Sequence, residues 1–288
     1  MKQKTYIGID LGGTTIKGGL VSAKGKIIEQ LTLNTPSRKK TIIQRVERMV
    51  SQLISSSKEC QGIGLSWPSS VNIPLKGSEM RRRLEKKIPL PVWVENDASC
   101  FALAESLIGA GKNYSVVLGI TLGTGLGGGL VINQKIFKGK GGASELGHTI
   151  LDFHGPKCEC GNAGCLEQFV GKKGLARLAK QHHFATKEGA ALYRLAQDGN
   201  KKALRIWQVL GSFLGIGLVN AINVYDPEII VLGGGISQAG KFFKKAMESE
   251  IKRRSFLKPG LIKVSQLKKG GVIGAALLAK RSFDKSPN

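Results

Sequence analysis

"YSVVLGITLGTGLGGGLVINQKIF" (residues 114–137) reads as strand, glycine-rich turn, strand, short turn, strand, and it echoes "TYIGIDLGGTTIKGGLVSAKGKII" (5–28). The two match in residue type more than letter by letter. β-formers lead into a glycine turn and small residues lead out of it. Two unrelated hairpins could read this way, but an internal duplication of one β-hairpin unit accounts for both. Between and after the hairpins the period changes. Apolar residues at 42, 43, 46, 49, 50, 53 and 54 predict a helix over 39–57. Strands are expected at 60–67 and 91–97, each followed by a helix, 79–88 and 98–111. Beyond the second hairpin a helical stretch is expected over roughly 170–224, with few turn signals except near 186–200. Strand 227–237, helix 241–254, strand 261–267 and helix 270–283 complete the chain. Strands alternating with helices indicate an α/β architecture.

The composition bounds the function. A chain of 288 residues can build one large domain or two modest lobes, and its 39 glycines suit many tight turns. No apolar run approaches the ~20 residues of a membrane span. The start "MKQKTYIGID" lacks the apolar segment of a signal peptide, so a cytoplasmic location is expected. The net charge is +24, from 44 Lys+Arg against 20 Asp+Glu. It reads either as lysines scattered over solvated faces or as affinity for a polyanion. The basic runs are spread along the chain without an appended tail, which argues against specific nucleic-acid recognition.

"SELGHTILDFHGPKCECGNAGCLE" (144–167) holds three of the five cysteines and two of the four histidines. In a reducing compartment an uneven cysteine cluster points to metal more than to disulfides. Cys158, Cys160 and Cys165 with one imidazole make a closed tetrahedral Zn²⁺ site without an open catalytic position. Spacing alone slightly favours His154, four residues before Cys158, over His148. Cys60 and Cys100 read as core residues.

Three glycine turns could approach phosphates: "DLGGTT" (10–15), "TLGTG" (121–125) and "LGGGIS" (232–237). Bare amides and threonine hydroxyls suit anions, although each turn alone could be only a turn. Asp10 could hold Mg²⁺ directly or through water. Asp97, at the end of "PVWVEND", could accept a proton at a strand end or cap the following helix.

In combination, "GIDLGGTTIKGG", "VENDASCFALAE", "ITLGTGLGGGLV", "ELGH" with "CECGNAGCLE", and "IIVLGGGIS" resemble the ROK family of sugar kinases and repressors, in the hexokinase/actin-like ATPase superfamily. The resemblance spans nearly the whole chain. It implies a two-lobed ribonuclease H-like fold of duplicated βββαβα units, with ATP and sugar meeting between the lobes. Residues 1–112 plus 271–288 would form the smaller lobe. Residues 113–270, with a zinc-binding loop at 148–165, would form the larger. Asp10, Gly12, Gly13, Thr14, Thr15 and Lys17 would make the first phosphate loop. Thr121, Gly123, Thr124 and Gly125 would make the second, with Gly233, Gly234 and Gly235 on the adenosine side. Asn96, Asp97, Glu145, His148 and Glu167 would hold the sugar, with Asp97 as catalytic base. The family's metal pattern selects His148 with Cys158, Cys160 and Cys165. A homodimer is also implied.

The chain departs from the family at "GIGLSWPSSVNIPLKG" (62–77), which looks like two family loops fused and shortened. Asn72 there would match a sugar-contacting asparagine or simply form a turn. The expectation is a hexose kinase acting with Mg-ATP, with glucose at its 6-hydroxyl as the favoured acceptor. The alternatives are a polyphosphate-using enzyme, motivated by the charge, and a kinase for N-acetylhexosamines or fructose. A sugar-responsive repressor would need a helix-turn-helix in front, and the first strand starts by residue 5.

Overall fold

Strands β1 (Thr5–Leu11), β2 (Thr15–Ser22) and β3 (Ile27–Asn34) form an antiparallel meander in the computed structural model, which describes residues 3–69 and 74–284. Helix α1 (Lys39–Ser55) returns the chain to β4 (Cys60–Trp67), parallel to β1. Helix α2 (Gly77–Lys87) precedes β5 (Val92–Asn96), giving the sheet order β3-β2-β1-β4-β5. Helix α3 (Asp97–Ile108) follows directly.

The second hairpin region repeats this plan. Strands β6 (Val116–Leu122), β7 (Leu126–Ile132) and β8 (Lys135–Ile136) are followed by β9 (Ile229–Gly233) and β10 (Leu261–Val264). Their order, β10-β9-β6-β7-β8, is that of the first sheet with the central strand again flanked by one antiparallel and one parallel neighbour. The echo in the sequence is therefore a shared topology of two sheets.

The chain divides into two compact units: Met1–Asn113 with Gln134–Ile136 and Gln266–Asn288, and Tyr114–Asn133 with Phe137–Ser265. In the first, the helical period of α1 buries Ile42, Val46, Met49, Val50 and Leu53 against Ile7, Ile9 and Leu11 of β1. The closing helix α9 (Gly270–Phe283) covers the other face. It lies close because Gly8 and Gly64 present bare backbone, where any Cβ would collide with the Val272 and Ala275 carbonyls.

In the second unit a short helix α4 (Glu167–Val170) precedes the expected helical stretch over 170–224, which divides into α5 (Lys172–Gln181), α6 (Gly189–Gln197) and α7 (Lys201–Tyr225), the break before α7 falling near the turn residues at 186–200. Gly171 is extended, Gly199 has φ 80°, and the Asn200 side chain caps α7 by accepting from the Ala203 N–H. Helix α8 (Gly240–Arg254) packs on α7, burying Phe243, Met247 and Ile251 with Trp207, Leu210, Leu214 and Leu218. Against the expectation, α7 is long and apolar enough to cross a membrane by length and composition. However, 61% of its apolar window is buried inside the protein, so this apolarity builds a core.

Candidate active site

The first glycine turn joins β1 to β2. The Gly12 N–H donates to the Thr15 carbonyl (2.9 Å), and the turn is braced from β3 and beyond: the Thr35 hydroxyl donates to the Gly12 carbonyl (2.6 Å) and the Thr35 N–H to that of Thr14 (2.9 Å). Gly13 and Thr14 are exposed at the tip. Asp10 stands opposite Lys17 in the antiparallel ladder and accepts from the Ser66 hydroxyl of β4 (2.7 Å). Burial raises the Asp10 pKa, while Ser66 and the Lys17 charge oppose the shift. Neither Ser66 nor Thr35 was foreseen from the sequence, because both are brought in by long-range strand pairing.

At the carboxyl end of β5, Asn96 rather than Asp97 serves as the cap of α3. Its Oδ1 accepts from the Ser99 N–H (3.0 Å), and its Nδ2 donates to the Ser69 hydroxyl (3.1 Å). Asp97 occupies the first helical position, where Oδ1 accepts from the Ala98 N–H (2.9 Å). Negative charge is favoured at that end of the helix dipole. Asn72 lies outside the described residues. Beside that segment, the Trp67 indole N–H donates to the Leu75 carbonyl (2.9 Å).

In the second unit three residues again separate β6 from β7, but the hydrogen bond that closes the turn spans one residue fewer than in the first. The Gly123 N–H donates to the Gly125 carbonyl (3.0 Å), and the Lys172 N–H of α5 donates to the carbonyls of Gly123 and Thr124 (3.1 Å each). Thr121 sits in β6 between Gly127 of β7 and Gly233 of β9. Gly233 ends β9, Gly234 adopts φ 86°, and Gly235 leads into a 3-10 turn over 236–239. Gly123 and Gly235 both line a cavity of about 730 Å³. Its walls include Tyr193, Trp207, Leu175 and Ile236, with Lys172, Glu188, Arg194, Gln197 and Gln238 as polar groups. Apart from the two glycines, these residues were not singled out in the sequence. They belong to helices whose amphipathic pattern resembles that of any core-facing helix.

The cysteine segment folds as a small clasp. Ile150 bridges Cys165 and Lys157 bridges Ala163, with Gly161 (φ 97°) and Gly164 (φ 71°) turning the chain between them. This brings His148, Cys158, Cys160 and Cys165 together, with ligand atoms all within 4.8 Å of one another. His154 is not in the group; its ring lies 3.9 Å from that of Phe153. The sulfurs of Cys160 and Cys165 are 3.6 Å apart, and that of Cys158 is 3.7 Å from His148 Nδ1. Zn–S bonds of about 2.3 Å at tetrahedral angles separate sulfurs by about 3.8 Å, so the donor set fits such an ion. Burial pushes the Cys165 thiol up to about 12, whereas the Asn162 N–H holds Cys160 at about 7.

The clasp also positions two carboxylates. Glu145 precedes the 3-10 turn Leu146–His148, and its carbonyl accepts from the His148 N–H (3.0 Å). Glu167 opens α4, and its Oε1 accepts from the Cys158 thiol (3.1 Å) and Gln168 Nε2 (3.3 Å). The other Glu167 oxygen lies where a Cβ on Gly125 would fall, so this carboxylate touches the second glycine turn. Cys60 and Cys100 are buried, as expected of core residues.

Comparison with known proteins agrees with this geometry. The glucokinase of Thermotoga maritima is 30% identical over 320 aligned positions, covering 97% of this chain and 98% of the relative. The xylose repressor of Bacillus subtilis is 31% identical, over 88% of this chain and 70% of the repressor. A solved ROK family glucokinase from Streptomyces griseus, in complex with glucose and AMPPNP, superposes with a TM-score of 0.85 at 30% identity, covering 96% of this chain and 99% of that one. The ROK family model matches residues 6–282, and with two sheets of one topology and both glycine turns in place, the chain belongs to the ROK family, in the hexokinase/actin-like ATPase superfamily.

Proposed function

We propose that this chain is an ATP-dependent sugar kinase that moves the γ-phosphoryl group to a hexose hydroxyl, with glucose at its 6-hydroxyl as the favoured acceptor. The observation that carries the proposal is the division of labour at β5. Asn96 takes the capping role, which supports Asp97, the first residue of α3 beside the end of β5, as the proton acceptor. A sugar hydroxyl is a weak nucleophile. Transfer to it needs positioning, charge neutralisation and a proton acceptor.

In this reading Asp97 takes the hydroxyl proton. Asn96 holds the sugar through its remaining amide hydrogen, together with Glu145, His148 and Glu167. Thr14, Thr15, Lys17 and the amides of Gly12 and Gly13 bind the donor phosphates, as do Thr121, Gly123, Thr124 and Gly125. The cavity beside Gly123 and Gly235 takes the adenosine, because Tyr193, Trp207 and Leu175 offer flat and apolar walls to a purine. Mg²⁺ accompanying ATP would neutralise phosphate charge, with Asp10 as the residue to hold it. Zn²⁺ would be held by His148, Cys158, Cys160 and Cys165 and would supply structure only. His148 Nδ1 faces Cys158, which leaves Nε2 for a sugar hydroxyl.

A polyphosphate donor is the second reading, favoured by the net charge of +24. A coupled assay over hexoses and N-acetylhexosamines, with ATP or polyphosphate across a salt series, tests both. ATP-dependent turnover of a hexose that disappears in Asp97→Asn is the expected result. Turnover by Asp97→Asn at the wild-type rate would refute the assignment.

A further inference from the structure

Lys269 has a left-handed backbone (φ 64°, ψ 44°) at the residue that precedes α9. Asparagine and glycine adopt that conformation readily, whereas a long side chain does so at a cost, and such strain gathers at binding sites. Two residues later Gly271 lies against Asp10: a Cβ there would be 2.7 Å from the Asp10 Oδ1. Asp10 in turn faces Lys17 across the β1–β2 ladder, and directly opposed residues project from the same face of the sheet. The start of α9, Asp10 and Lys17 therefore share one corner beside the Gly12–Thr15 turn. Both lysines are half-buried, and among the described residues neither forms a salt bridge. Burial, and the Lys17 charge next, lower the Lys269 pKa. The Lys17 charge thus acts on Asp10 and on Lys269 alike, and Asp10 is itself engaged by Ser66. An anion with several adjacent charges relieves both the repulsion and the desolvation.

We infer that Lys269 is a further binding residue of the donor site, acting with Lys17 on a condensed-phosphate tail. This rests on the reading of the Asp10–Thr15 turn as a donor phosphate loop. The shared chemistry is a chain of linked phosphates, whether carried by ATP or free.

Three proteins decide it: wild type, Lys269→Asn, which suits the left-handed backbone and removes the charge, and Lys269→Arg, which keeps the charge. Calorimetric titration with Mg-ATP and with inorganic tripolyphosphate measures affinity without turnover. Lys269→Asn is expected to weaken binding by about tenfold, the scale of one charge-assisted hydrogen bond. Lys269→Arg should stay within about threefold of wild type. In assays the donor KM should rise while the sugar KM holds, and the Tm of Lys269→Asn should not fall. Equal loss for both ligands identifies the nucleotide's tail, and loss for tripolyphosphate alone identifies free condensed phosphate; either supports the inference. Unchanged affinities in Lys269→Asn, or an equal loss in the Asn and Arg variants, overturn it. Should wild type phosphorylate no hexose while lysine-dependent tripolyphosphate binding persists, the kinase reading fails and this inference stands.

Discussion

The two glycine turns are built on the same strand positions and yet differ in chemistry. Asp10 of β1 corresponds to Thr121 of β6: each stands two residues before the first turn glycine, at the end of the central strand of its sheet. Across the ladder Asp10 meets a lysine, Lys17, whereas Thr121 meets a glycine, Gly127. The first turn is braced by a threonine after β3, the second by the amide of Lys172 and the carboxylate of Glu167. One topology thus yields two glycine turns, and single residues set what surrounds each: a carboxylate and a lysine beside the first, a threonine and a glycine beside the second. The duplication sets where chemistry can happen, while the divergence sets what kind.

The largest expected effect lies in the first unit. Asp97→Asn should lower kcat by about 10²–10⁴, the usual worth of general-base help, while sugar affinity by calorimetry stays near wild type. A combined loss of affinity and rate would instead mark Asp97 as a binding residue.

Asp10→Asn probes the asymmetry between the turns. Activity should drop by about 10²-fold, on the scale of lost metal and phosphate stabilisation. Stability should move the other way. The folded-state pKa of Asp10 is raised, so the folded protein binds that proton more tightly than the unfolded chain. Ionisation then costs stability as pH rises through the shifted pKa. The amide removes that cost, so the Tm gain of Asp10→Asn should be present at neutral pH and vanish in acid. A gain that is the same at both pH values would show that Asp10 contributes no such linkage.

Cys160→Ser should release zinc, measured by elemental analysis, and raise the sugar KM about tenfold by loosening the segment that carries Glu145 and Glu167. Complete zinc loss with unchanged sugar affinity would separate the clasp from the sugar site. The smallest effect compares the turns directly. Gly125→Ala places a methyl against the Glu167 carboxylate and should cost about 1–3 kcal/mol. Gly13→Ala meets nothing within 4 Å and should stay within about 0.5 kcal/mol. Equal Tm shifts would remove the distinction between a braced turn and an open one.

Most elements could be read from the sequence because each follows a local rule. The apolar spacing of α1, the glycine after α3 and the strand-turn-strand periods of both hairpins each report on neighbours within a few residues. The Cys/His cluster was legible for the same reason, since its residues fall within one short segment; spacing alone slightly favoured His154, whereas the family resemblance selected His148, which the fold gathers with the three cysteines. The break before α6 lies near turn residues in the sequence at 186–200, whereas the extended Gly171 that separates α4 from α5 leaves an otherwise helical composition unmarked.

Chain order and side-chain type alone established the α/β alternation, the repeated hairpin and the candidate carboxylates and thiols. Those are periodic or local properties, carried by each segment independently of the rest. The pairing of Ser66 with Asp10, the bond from Asn96 to Ser69, the lysine corner at α9 and the aromatic cavity near Gly235 depend on contacts between segments distant in sequence. Only the packed sheets and helices select those contacts, because burial and hydrogen-bond geometry act on all parts of the chain at once.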